Sequence, residues 1–258
     1  MSTHERPDDS PIGADAIPSP SPGAPTLAGA VTRRTWMLVL AASVIASAGS
    51  WLFVEGLLHA YKASFEPISK PYPSAEDIER ITRARIVSGT LAFGATGGLL
   101  GLMLGLAGGV SRGSIKSAAL SGMTGLLLGG LAEAGVAWLT LSIIYKKLDL
   151  QSEDMLQTLL CHEALWAVVG VAGGLAFGLG LGGRGRWWRA AVGGLIGAAL
   201  ATVVYEFVGA LAFATHGTHQ PHGDSMVTRA LAQVLVPFGT AIGSILAARD
   251  PKGKPVSP

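Results

Sequence analysis

The 258-residue chain has little charge and almost no cysteine. Charged residues make up 14% of it, against roughly 25% in a soluble globular domain. Between residues 86 and 145 the charged residues are Arg112, Lys116 and Glu133. Apolar runs of this length nearly exclude a soluble domain and indicate membrane spans. The single cysteine, Cys161, excludes an intramolecular disulfide and any paired-cysteine metal or redox site.

Signals for nucleic acid, nucleotides and catalysis are also missing. The net charge of +2 is small, and the basic residues stand at the ends of apolar segments, as in membrane proteins, rather than in a patch for nucleic acid. The glycine-rich runs contain neither a dinucleotide-binding fingerprint nor a P-loop. Because no nucleophile–base pair is apparent, we expect that the protein is not an enzyme.

Apolar residues, at 49%, and glycine, at 36 residues, are abundant instead. The sequence predicts an all-α membrane protein with six transmembrane helices in a lipid bilayer, within a domain of residues 32–249. A Pro/Ser-rich cytoplasmic tail, 1–31, which we expect to be disordered, and a short tail, 250–258, flank this domain. The predicted spans cover roughly 32–58, 86–109, 115–145, 160–183, 188–214 and 229–248.

The first apolar segment has two interpretations. Arg33 and Arg34, followed by an apolar run and the small residues 46–48, resemble a twin-arginine export signal. The alternative is a first transmembrane helix with a basic flank. The second interpretation is favoured, because the apolar run continues through Phe53 to spanning length.

The distribution of lysine and arginine predicts the orientation. With the amino terminus inside, most short basic connections fall on the same side, although the segment 58–85 is a basic counterexample. We therefore expect both termini in the cytoplasm of a bacterial-type inner membrane. The basic residues of these connections and of the carboxy-terminal tail are Arg112, Lys116, Arg184, Arg186, Arg189, Arg249, Lys252 and Lys254.

Parts of the sequence repeat. The segment 94–98 recurs at 170–174, which predicts duplicated helical hairpins at 74–147 and 152–214. Near the start of each copy, Ser74 or Ser152 is followed by acidic residues, Glu76 and Asp77 or Glu153 and Asp154, which predicts a helix N-cap. A weaker third copy, formed by the last and first spans, would give three parallel hairpins around a pseudo-threefold axis.

Glycines recur every four residues in these hairpins and so share one helix face. We predict that they let helices pack closely; a tight pore lined by glycine backbone is the alternative. Pro237 predicts a kink in the last span. The predicted packing glycines are Gly97, Gly101, Gly105, Gly109, Gly170, Gly174, Gly178 and Gly182.

Ionisable residues inside the spans are the clearest candidates for a functional site. Counting 1.5 Å per residue along each helix predicts that Glu55, Glu133 and Glu206 share one depth near the outer surface. His162, Glu163 and Arg229 fall at a similar level. This set predicts an ion, proton or solute site. The competing interpretation is structural pairing, such as Glu163 with Arg83 or Arg229.

A predicted outer loop contains His216, His219, His222 and Asp224. Imidazoles at this spacing could bind a transition metal, but a solvated polar loop is the favoured interpretation. We otherwise expect no cofactor.

Two functions remain open from the sequence. The leading one is passive or proton-linked movement of a small solute or cation through the bundle. The alternative is a structural or assembly subunit whose glycine faces pack against a second copy or a partner membrane protein.

Overall fold

The computed structural model describes residues 31–62, 74–147, 155–213 and 225–249. Across these residues the chain forms six α-helices and no strand. All six are long and apolar enough to cross a membrane, which indicates a multi-pass membrane protein and confirms the predicted helical class. The helices are α1 Arg33–Ala60, α2 Ala75–Ser111, α3 Ile115–Lys147, α4 Met155–Leu181, α5 Arg186–Ala212 and α6 Met226–Ala248.

Helix α2 begins well before its apolar segment, because Ser74 caps it. The Ser74 hydroxyl accepts a hydrogen bond from the Asp77 amide at 3.2 Å, and the Asp77 carboxylate accepts one from the Ser74 amide at 3.3 Å. Glu76 and Asp77 in the first turn suit the helix dipole. The predicted counterpart of this cap, Ser152, lies outside the described residues.

Two short connections, 112–114 and 182–185, lie on the side of the bundle where α1 begins. We call this the Arg33 side and the opposite one the Glu55 side. Gly182 has φ +67°, a left-handed conformation that favours glycine, and its amide bonds the Gly178 carbonyl at 3.1 Å. Gly182 therefore terminates α4 one residue after Leu181, rather than continuing the helical series in which its spacing placed it.

Helices α2 and α4 form the centre of the bundle. In their spanning segments 61% of the residues are buried, against 28% in α3 and α5. Helix α2 packs against α1, α3 and α4, and α4 also packs against α3, α5 and α6. Helix α6 closes the bundle by packing against both α5 and α1. Exposed leucines such as Leu131 on α3 and Leu211 on α5 cover the surface that faces lipid.

Several glycines lie where two helix backbones touch. A Cβ added to Gly105 of α2 would lie 2.5 Å from the Ser121 carbonyl oxygen of α3, and one on Gly170 of α4 would lie 2.6 Å from that of Gly194 on α5. Real Cβ atoms do not approach so closely, so a side chain would force these helices apart. Close approach also lets the Ser121 hydroxyl donate to the Gly105 carbonyl at 2.8 Å.

Helix α6 continues through Pro237 to Ala248. Proline has no amide hydrogen, so the Gln233 carbonyl lacks its usual helical donor. Pro237 therefore lies inside one continuous helix, in which the Gln233 carbonyl lacks the usual amide donor four residues on. The kink stays a prediction.

Candidate functional site

The structure distributes the predicted acidic residues over three different helix contacts. Glu55 lies between α1 and α6, Glu206 between α5 and α4, and Glu133 on the face of α3 that packs against α2 and α4. In the part of the chain that the structure describes, no group of three or more His, Cys, Asp or Glu residues could hold a metal ion.

Glu55 forms an ion pair with Arg229. The Arg229 Nε and Nη2 atoms donate to the two carboxylate oxygens at 2.7 and 2.9 Å, a bidentate geometry. Arg229 is placed in the first turn of α6, where the Ser225 hydroxyl caps the helix by accepting from the Thr228 amide at 3.1 Å. The Glu55 charge is therefore neutralised by a specific partner.

His162 and Glu206 form the second contact. The His162 Nδ1 atom hydrogen-bonds Glu206 Oε1, and the imidazole, which is buried, packs edge-on against the Tyr205 ring with centroids 5.8 Å apart. Glu163 is close enough to interact electrostatically with both His162 and Glu206. The structure therefore brings the predicted set together in two separate places, as this group of three and as the Glu55–Arg229 pair.

The two arginines predicted as partners of Glu163 pair with other acids. Arg229 binds Glu55, and Arg83 lies 3.7 Å from Glu79 on the exposed start of α2. Arg83 therefore pairs with an acid of its own helix, and Arg229 pairs with an acid of a neighbouring helix.

Glu133 differs from Glu55 and Glu206 because it is fully buried and has no hydrogen-bond partner among the described residues. Its exposed fraction is 0%, and neither carboxyl oxygen has a hydrogen-bond partner among the described residues. A Cβ added to Gly97 of α2 would lie 2.9 Å from the Glu133 Cβ. The segments facing it are uncharged, since α2 carries no charge between Arg85 and Arg112 and α4 carries none after Glu163.

Glu133 also lies deeper in the bundle than Glu206. A Cβ on Gly129 would lie 3.6 Å from the Ala172 Cβ, so Glu133, one turn further along α3, is level with residues 168–169 of α4. At 1.5 Å per residue this is about 10 Å from His162 along the axis. The prediction of one common depth is therefore wrong, because α3 begins further toward the Arg33 side than α5 does. Gly125, well inside α3, lies against Ala176 of α4, whereas Trp187 at the start of α5 lies against Gly178.

An unpaired carboxylate in an apolar interior is unstable as an anion. Its desolvation costs several kcal/mol, so the group carries a proton or holds a cation. Ionisable residues at such positions are rare in membrane proteins and are typical of ion and proton pathways. Glu133 is therefore the residue of the predicted set with the clearest capacity for chemistry.

A buried polar network at the α1–α2–α6 contact was missed by the sequence interpretation. The Ser50 hydroxyl donates to Gln233 Oε1 at 2.8 Å, and Gln233 Nε2 donates to Thr96 Oγ1 at 3.2 Å. The signal was present in the sequence, because the polar residues of α6 recur on one helix face.

The predicted metal ligands His216, His219, His222 and Asp224 lie outside the described residues. No protein-family model, curated protein or solved structure matches this chain. The functional conclusion therefore depends on the geometry of its own residues.

Proposed function

We propose that this protein is a transporter rather than an enzyme, and that it moves protons or a small cation across a membrane. Glu133 is the group that takes up and releases the proton or cation. The observation that carries the proposal is the complete burial of a carboxyl group with no hydrogen-bond partner among the described residues. A group in this state binds a cation or proton more readily than it remains charged.

In this proposal, protons pass between Glu133 and the Glu55 side through a group of three residues: His162, Glu206 and Glu163. They lie about 10 Å from Glu133 along the α3–α4 contact, at 1.5 Å per residue. His162 is hydrogen-bonded and buried, whereas Glu163 is only half-buried. An imidazole and two carboxylates can pass a proton between a buried acid and the surface. Glu55 and Arg229 have no transport role in this proposal, because they neutralise each other.

The alternative of an assembly subunit is less well supported. It requires glycine faces that are free to receive a partner. Gly97, Gly101, Gly105, Gly170 and Gly174 are buried against other helices of the same chain. These glycines contribute to the fold itself.

We further propose that the bundle consists of repeated hairpins, with glycine stripes along their contacts. Gly101 approaches Gly125 in the α2–α3 hairpin, and Gly170 approaches Gly194 in the α4–α5 hairpin. Contact between α1 and α6 supports a third hairpin and a pseudo-threefold arrangement. The basic residues at the short connections favour a cytoplasmic Arg33 side in a bacterial-type inner membrane.

Ion flux into liposomes tests the function. The full-length protein is reconstituted with a trapped pH indicator, or with a sodium indicator in a second arm, and a gradient is imposed while valinomycin and K⁺ clamp the potential. We expect flux well above that of empty liposomes, and a loss of at least tenfold for Glu133→Gln. Glu79→Gln is the matched control, because Glu79 is exposed outside the apolar segment.

Two results would contradict the proposal. One is the absence of proton and sodium flux from the wild-type protein. The other is a Glu133→Gln variant that folds and transports as fast as the wild type.

A further inference from the structure

Helix α6 turns its polar residues inward and its apolar residues outward. Thr228, Gln233, Thr240 and Ser244 are all buried. The exposed side of the same helix carries residues such as Val227, Val234, Ile242 and Leu246. This is the reverse of a helix on the surface of a soluble protein, and it is typical of membrane helices that face a polar interior.

The hydroxyls along this face fall into two groups. Near the Glu55 side, Ser50 and Thr96 bond Gln233, and Thr228 donates to the Ser225 carbonyl at 2.9 Å. Further toward the Arg33 side, the hydroxyls of Ser47, Thr240 and Ser244 are buried and have no hydrogen-bond partner among the described residues. All three residues are at least nine-tenths buried.

Other buried hydroxyls of the bundle bond their own helix instead. Ser43, Thr96 and Thr202 each donate to the carbonyl four residues earlier, at 2.9, 2.9 and 3.0 Å. This local bond is the ordinary solution for Ser and Thr in a membrane helix. Thr240 and Ser244 do not use it, so their hydroxyls remain available to another hydrogen-bonding molecule.

Pro237 adds an acceptor to the same region. The Gln233 carbonyl, which Pro237 leaves without a helical donor, points along α6 toward Thr240. Helices α1 and α6 are antiparallel, because Glu55 contacts Arg229 and Ser50 contacts Gln233. This register places Ser47 opposite Pro237, at the level of the Gln233 carbonyl.

We propose that the buried face of α6 from Gln233 to Ser244 lines a track of water molecules, which enters from the Arg33 side and ends at the Gln233 network. Buried water occupies sites where several polar groups lack partners, and it makes about three hydrogen bonds at each. Ser47, Thr240, Ser244 and the Gln233 carbonyl supply such groups at successive levels.

The composition of the track favours water over a bound cation. Between Arg229 and Arg249 helix α6 has no charged residue, and α1 has none between Arg34 and Glu55. The neighbouring residues of the central helices are small or apolar. Leu104 and Thr240 lie 3.1 and 3.2 Å from the position of a Cβ on Gly173, and the Ser244 hydroxyl lies 2.9 Å from that of a Cβ on Gly174.

Cysteine accessibility tests the track. Single cysteines are introduced into a Cys161→Ala background at Thr240 and Ser244, and the full-length protein in nanodiscs is treated with 2-aminoethyl methanethiosulfonate. Only thiolate in contact with water reacts rapidly. We expect Thr240→Cys and Ser244→Cys to be labelled at least ten times faster than Ala241→Cys and Ile245→Cys, whose native residues are equally buried. Equal rates at the four positions would overturn the proposal.

A measurement on the unmodified protein covers the case in which a variant fails to fold. X-ray radiolysis of buried water oxidises nearby side chains, and Leu104 and Leu141 have the same reactivity and are both 0% exposed. We expect several-fold more oxidation at Leu104, which lies beside Thr240, than at Leu141. Equal oxidation would contradict the track. Neither experiment measures flux or involves Glu133, so its failure is distinguishable from failure of the transport proposal.

Discussion

The α2–α3 and α1–α6 contacts both join antiparallel helices of the bundle, but different kinds of residue make them. Helices α2 and α3 meet through glycine, with a Cβ position on Gly105 only 2.5 Å from the opposite carbonyl. Helices α1 and α6 meet through an ion pair, an amide and hydroxyls. Each contact includes a glutamate, but only Glu55 has a partner among the described residues; Glu133 has none.

The comparison shows how the surroundings determine what an acid in a membrane helix can do. At α1–α6, Arg229 neutralises Glu55 and the pair stabilises the fold. At α2–α3, backbone contact and apolar side chains surround Glu133. In the proposed function its charge is compensated by the proton or cation that it binds.

Among the substitutions considered, replacing Arg229 at the α1–α6 contact should destabilise the protein most. Arg229→Met leaves Glu55 as an unpaired, largely buried carboxylate, and we expect a loss of about 3 kcal/mol in the free energy of unfolding. SDS titration of the protein in bicelles measures it. The double variant with Glu55→Leu should recover most of the loss, because no charge is then left unpaired. A double variant as unstable as the single one would show that the ion pair is not the cause.

Adding one methyl group should disrupt the α2–α3 contact. Gly105→Ala places a Cβ against the Ser121 backbone, and we expect a loss of about 2 kcal/mol from overpacking. Gly135→Ala is the matched control on α3, since a Cβ there meets nothing within 4 Å. The control should leave stability unchanged or raise it by up to about 1 kcal/mol through helix propensity. Equal effects at the two glycines would mean that α2 and α3 are not in backbone contact.

Glu133 should respond in the opposite direction from Arg229. Glu133→Met replaces an unpartnered carboxyl with an apolar side chain, and we expect a gain of about 1.5 kcal/mol in the same titration. The variant should also lose ion flux. A less stable Glu133→Met protein would show that the carboxyl has a favourable partner in the folded state.

Local features of this fold could be predicted from the sequence, whereas contacts between distant helices could not. Apolar runs located all six helices, and Ser74 with Asp77 predicted a helix start. The pairing of Glu55 with Arg229 depends on the rotation of helices that are far apart in the chain. Spacing within one helix does not encode that rotation.

The depth of a residue within the bundle was harder to predict than the position of its helix along the chain. Glu133 and Glu206 lie at similar distances from the starts of their helices, but α3 begins further toward the Arg33 side than α5 does. The inward polar face of α6 could have been predicted, because Gln233, Thr240 and Ser244 recur on one side of the helix. These residues are uncharged, so the distribution of charge does not reveal them.

The smallest expected effects distinguish two halves of the α1–α6 contact. In one half the hydroxyl of Thr96 is bonded to Gln233, and in the other the hydroxyl of Thr240 has no partner among the described residues. Thr96→Val keeps the side-chain shape and removes the hydroxyl that bonds Gln233, so we expect a loss of about 1 kcal/mol. Thr240→Val removes a hydroxyl that has no protein partner among the described residues. Its effect should be smaller still, because water lost from that site returns to bulk solvent. If Thr240→Val cost as much as Thr96→Val, the Thr240 hydroxyl would have a partner within the protein, and the two halves of the contact would be alike.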